Sequence, residues 1–193
     1  MTQNLAILTM TEALNFTAED IELMLANLDA FSEAEVLEID RMVDELNNRT
    51  ANASAYDDLI EFCKLMMPEF IVGKHHRILA DMLMAIERGE KDRICVNIPP
   101  RHGKSQLVSI FYPAWFLGRN PNKKVMMVSH TTDLAVDFGR KVRNLIASDD
   151  YRAIFPTVRL AQDSKSAGRW NTNVGGEYYA CGIGSALAGR GAD

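Results

Sequence analysis

Gly103-Lys104-Ser105 is the stretch of this sequence whose residue types most directly suggest chemistry. A glycine lets the backbone approach a ligand closely, an ammonium supplies a full positive charge, and a hydroxyl can hold magnesium. In that order, at the start of a helix whose first N–H groups are free, they suit a chain of phosphates. Pro100, Arg101 and His102 lead into the tripeptide, so Pro100 to Ser105 is the candidate cradle, with Lys104 as its principal cation and Ser105 as the magnesium ligand. Arg101 either reaches the phosphates as a second charge, or points to solvent or pairs with an acid. The full pattern G-x-x-x-x-G-K-[ST] asks for glycine at position 98, where this chain has Ile98. Gly-Lys-Ser alone would equally suit a plain loop and helix cap. What selects the cradle is the order of its neighbours: an apolar run, a proline-stiffened loop, then an amphipathic segment.

The elements that must position these residues can be read from periodicity. Arg93 to Ile98 is predicted as a strand, and Leu107, Val108, Ile110 and Phe111 mark the helix after the loop, which Pro113 should bend or break. Upstream, a helix over about 74–88 gathers Ile78, Leu79, Met82, Leu83 and Ile86 before Gly89, and Ser54 is expected to cap a helix ended by Pro68. Downstream, Val125 to Val128 reads as a second strand covered on both faces. Thr131 or Thr132 caps a helix with Phe138, Val142, Leu145 and Ile146 on its buried side. Strand, helix, strand, helix indicates a parallel sheet. Trp170 to Asn173 and Glu177 to Ile183, around Gly175-Gly176, read as a β-hairpin.

Two amphipathic helices precede this part. Thr17 with Asp20 starts the first, and Ser32 with Glu35 forms a capping box for the second, whose stripe is Val36, Ile39, Val43 and Leu46. The stretch from Asn47 to Ser54 reads as a linker, giving an acidic helical segment over 1–53 and a second domain over 54–193. Charge divides similarly. Residues 1–61 hold 14 acids and 2 bases, whereas the remainder holds 12 acids and 19 bases, nets of −12 and +7. The basic part permits contact with nucleotide or nucleic-acid phosphates, and the acidic helices either pack as a plain hairpin or dock a basic partner.

Cys63, Cys95 and Cys181 suggest neither a disulfide framework nor a zinc knuckle, which points to a reducing compartment. No basic residue precedes Arg41, against a signal peptide, and the uncharged run from Ser105 to Gly118 is too short to span a bilayer.

Taken in order, Pro99-Pro-Arg-His-Gly-Lys-Ser105, Val128-Ser-His-Thr-Thr-Asp-Leu-Ala135, Arg143-Asn-Leu-Ile, Phe155-Pro156, Trp170-Asn-Thr, Gly175-Gly176 and Gly189-Arg-Gly191 resemble the N-terminal ATPase domain of the large terminase subunit of tailed bacteriophages and prophages. The likeness covers about residues 60–193. It implies an α/β fold, a P-loop NTPase of the RecA/ASCE type with a mostly parallel sheet flanked by helices. It further implies ATP and Mg2+ as cofactors and a motor that drives double-stranded viral DNA into a procapsid. The expected partners are the DNA, a small terminase subunit, the portal and further copies of the chain, in the cytoplasm of the bacterial host and without a membrane. Arg190 resembles the arginine such motors offer to a neighbouring subunit's nucleotide. His76 (or His75) falls where related motors contact adenine, a position that also suits an ordinary capping histidine. The acidic Walker B strand of the family pattern would follow Asp193, so the sequence is expected to be an incomplete domain that hydrolyses ATP poorly alone. The alternatives are part of a superfamily-two-like helicase ATPase, because Val128-Ser-His-Thr also fits one, and a non-catalytic subunit-docking remnant.

Overall fold

The computed structural model describes residues 17–163, 166–184 and 191–192. They form two compact units that meet between Ala51 and Asn52. In the first, α1 (Ala18–Leu25) is opened by a reciprocal cap in which the Asp20 amide donates to Thr17 Oγ1 at 3.2 Å and the Thr17 amide donates to the Asp20 carboxylate at 2.8 Å. Ser32 and Glu35 repeat the arrangement at the start of α2 (Glu33–Asp57). These hydrogen bonds hold both carboxyls below their usual range, the Thr17 hydroxyl contributing most at Asp20 and the Ser32 amide most at Glu35. Ile39 and Met42 are buried on α2, with Val36, Val43 and Leu46 half-buried beside them, which is the expected stripe.

The expected linker is absent. Asn47 to Ser54 lies inside α2, which runs unbroken to Asp57. Nothing in that stretch forbids a helix, since it holds no glycine or proline. An Arg49–Glu45 ion pair one turn apart and the Thr50 hydroxyl, which donates to the Leu46 carbonyl, support it. Ser54 accordingly caps nothing. Asp58 caps α3 (Leu59–Met66) instead, accepting from the amides of Ile60 and Glu61 at 2.8 and 3.1 Å.

In the second unit, α4 (Lys74–Glu87) precedes a segment over 93–98 that is neither helix nor strand. A continuous helical run then follows: α5 (Lys104–Gln106), a π-turn over Leu107–Phe111, and α6 (Tyr112–Arg119). Pro113 does not break this run. The Tyr112 amide reaches back five residues to the Leu107 carbonyl, and the widened turn relieves the clash a proline ring makes in α geometry. β1 (Lys124–Ser129), α7 (Thr132–Ala147), α8 (Asp149–Ile154), β2 (Arg169–Asn171) and β3 (Glu177–Gly182) complete the described elements. Thr131 is the cap of α7, accepting from the Leu134 amide.

The sheet corrects the expected architecture. It has three strands in the order β1-β3-β2, with β1 parallel to β3 (Lys124 opposite Glu177) and β2 antiparallel to β3 (Trp170 opposite Tyr178), so the hairpin is present. Arg93 to Ile98, expected as the first strand, pairs with no other strand, and helices dominate the described residues. This small mixed sheet is not the parallel core of a RecA/ASCE-type P-loop NTPase. β1 is only half-covered, and Val128 is 40% exposed where burial on both faces was expected.

The core lies between α3, the helical run, α7, α8 and the sheet. Phe62 meets Phe111 and Tyr151 edge-on at 6.3 and 6.2 Å, and Trp170 stacks on Tyr178 at 4.8 Å. Burial pushes the Tyr151 and Tyr178 hydroxyls and the Cys63 thiol far up, so all three stay protonated. Arg119 joins several pieces. Its guanidinium stands between the rings of Tyr56 and Trp115 at 4.9 and 5.0 Å, pairs with Glu87 at 3.0 Å and donates to the Tyr56 carbonyl at 3.0 Å. Trp115 Nε1 donates to the carbonyls of Ala55 and Tyr56 at 3.1 Å, so the last turn of α2 is capped from α6.

Candidate phosphate-binding loop

Ile94, Val96 and Ile98 are half-buried while Cys95 and Asn97 are exposed, an alternation with the two-residue period of a strand, and Pro99 beyond them is exposed. The chain then turns twice through left-handed backbone. Arg101 has φ of 66° and Gly103 has φ of 70°, and Arg101 is the only non-glycine residue with positive φ among the described residues. A left-handed residue with a side chain costs about 1–2 kcal/mol, and such strain is found disproportionately at ligand-binding loops.

Pro99, Pro100, Arg101, Gly103, Lys104, Ser105 and Gln106 line a cavity of about 150 Å³. No lining residue is acidic. Among the described residues, neither Arg101 nor Lys104 has a carboxylate partner, and the Lys104 ammonium makes only a long contact with the Ile98 carbonyl at 3.5 Å. The Ser105 hydroxyl and the amides of Gly103, Lys104 and Ser105 likewise have no acceptor or donor there. Two uncompensated cations, three free amides and a free hydroxyl around one cavity make an environment complementary to a polyanion.

Magnesium can be tested against the same residues. Ser105 offers one hydroxyl, and no group of three or more His, Cys, Asp or Glu among the described residues could hold a metal ion. The ion fits only as one carried by phosphate oxygens, with Ser105 as a single protein ligand, the usual way magnesium accompanies a nucleotide.

His102 lies in the loop but turns from the cavity, its Nδ1–H donating to the Pro100 carbonyl at 2.9 Å. His76 is placed beneath the loop rather than on an open surface. It is 6% exposed, accepts the Gly73 amide on Nδ1 at 3.0 Å and meets the His102 carbonyl through Nε2 at 2.9 Å, so both ring nitrogens are engaged within the protein. His75 Nε2 approaches the same carbonyl at 3.2 Å. This bracing was missed in the sequence, although a histidine three residues after Gly73 is a visible capping signal. Arg190 lies outside the described residues. Among the described residues no helix is long and apolar enough to cross a membrane. Comparison of the chain with protein families, curated proteins and solved structures finds no match, so the functional reading stands on the loop and the motif series alone.

Proposed function

We propose that residues 99–106 bind the phosphates of ATP with magnesium, and that the chain is the nucleotide-binding part of a viral DNA-packaging motor of the large-terminase kind. The observation that carries the binding is the cavity edged by Arg101, Gly103, Lys104 and Ser105, with its unpaired cations and free amides. The wider role is supported by the ordered motif series alone. It brings with it double-stranded DNA, a small terminase subunit, a portal or procapsid and like subunits as partners, in the host cytoplasm.

The residue roles follow from electrostatics. Lys104 and Arg101 place positive charge beside the phosphate oxygens, the amides of Gly103 to Ser105 donate to them, and the Ser105 hydroxyl completes the ion's coordination. Bound magnesium would neutralise charge on the terminal phosphates. Among the described residues no carboxylate borders the cavity to orient an attacking water, so binding without appreciable turnover is expected. Calorimetric titration with Mg–ATP tests the reading. Saturable binding that is weakened about 10- to 150-fold in Lys104→Ala supports it, since a charge-assisted contact contributes about 1.5–3 kcal/mol. No binding, or binding indifferent to Lys104→Ala, refutes it.

A further inference from the structure

We infer that His76, seconded by His75, is a positioning residue for the phosphate loop: by holding the His102 carbonyl against α4 it turns the Gly103 amide into the cavity. This rests on the ATP reading above. The tautomer of His76 follows from its partners. Its Nδ1 accepts the Gly73 amide, so the proton is on Nε2, which then donates to the His102 carbonyl at 2.9 Å. His75 Nε2 lies 3.1 Å from His76 Nε2 and 3.2 Å from the same oxygen, so its ring packs against this contact. The peptide between His102 and Gly103 is trans, so its carbonyl and its N–H point in opposite directions. An oxygen drawn toward α4 therefore aims the Gly103 N–H away from α4, and Gly103 lines the cavity.

The ring itself is fixed. Phe70 packs at 5.0 Å between ring centres, and the Gly73 bond closes the first turn of α4. The fit to the loop is so close that a Cβ on Gly103 would lie 2.4 Å from His76 Nε2. Without the brace the 102–103 peptide is free to rotate, and a carbonyl facing the cavity would repel phosphate oxygens instead of an amide attracting them.

The test compares Mg–ATP binding to the full chain, to His76→Leu, which keeps bulk but loses both hydrogen bonds, and to His76→Gln. Glutamine's Oε1 can accept the Gly73 amide and its Nε2 can donate to the His102 carbonyl. Leucine is expected to weaken binding about tenfold, equivalent to about 1.4 kcal/mol. Glutamine should restore it to within about threefold of the parent. Nitrogen NMR of the unaltered chain adds a readout that does not depend on how His76→Leu folds. His76 should carry its proton on Nε2, and that resonance should shift when Mg–ATP is added. Equal binding by His76→Leu, a glutamine variant as weak as the leucine one, or an Nδ1–H tautomer overturns the inference while leaving the ATP reading intact. An unaltered chain that fails to bind ATP overturns the reading itself.

Discussion

Gly103 meets two constraints at once, a left-handed φ of 70° and the His76 ring where a side chain would begin. Gly103→Ala should therefore destabilise the protein by about 2 kcal/mol or more, seen as a fall in the midpoint of urea unfolding, and should abolish ATP binding even where the fold survives. Arg101 presents the opposite balance, because only its backbone is strained. Arg101→Gly should raise stability by up to about 1 kcal/mol while weakening ATP binding. A variant that is no more stable, or that binds as before, would show that Arg101 is strained for another reason. Lys104 and Ser105 could be singled out from residue type, and both line the cavity. The use of His76 could not be, since it meets His102 across 26 positions and depends on how α4 docks.

Caps are the most legible of the elements, because each depends on residues within one turn, and Thr17-Asp20 and Ser32-Glu35 stand where the sequence placed them. They make the first unit sensitive to acid. Both carboxyls have pKa values lowered by folding, so their contribution is present above their ordinary values of 3.8 and 4.5 and is lost as pH falls through the lower folded ones. Circular dichroism should record helix loss over that acid range, blunted in an Asp20→Asn, Glu35→Gln chain. Identical profiles for the two chains would count against the caps. Ser54 and the supposed linker show the limit of local signals, for Asn, Thr and Ser weaken a helix by only about half a kcal/mol each. Trp115 and Arg119, distant in sequence, hold the end of α2. Arg119→Ala should cost about 2–4 kcal/mol by leaving the buried Glu87 carboxylate unpaired, and thermal unfolding of that variant checks it. An unchanged melting temperature would mean that Asn120, which also donates to Glu87 at 3.0 Å, suffices.

For the whole molecule, the positions of β1 and of the β2–β3 hairpin were readable, whereas the pairing of β1 with β3 was not. Val125 to Val128 and the hairpin residues carry the right apolar texture, whereas β3 lying between β1 and β2 is a long-range arrangement that no local pattern encodes. Arg93 to Ile98 has strand-like alternation without a ladder, which is how the expected parallel core gave way to a smaller mixed sheet beside a large helical layer. The candidate loop stands apart from that small sheet. Its amides are freed by two left-handed residues, and it is braced by α4. The most direct measurement is amide chemical-shift mapping of the 193-residue chain during titration with Mg–ATP. The amides of Gly103, Lys104 and Ser105 should move most and saturate, and the same titration of Lys104→Ala should leave them still. Loop amides that do not move, or saturating shifts centred on another part of the protein, would contradict the account.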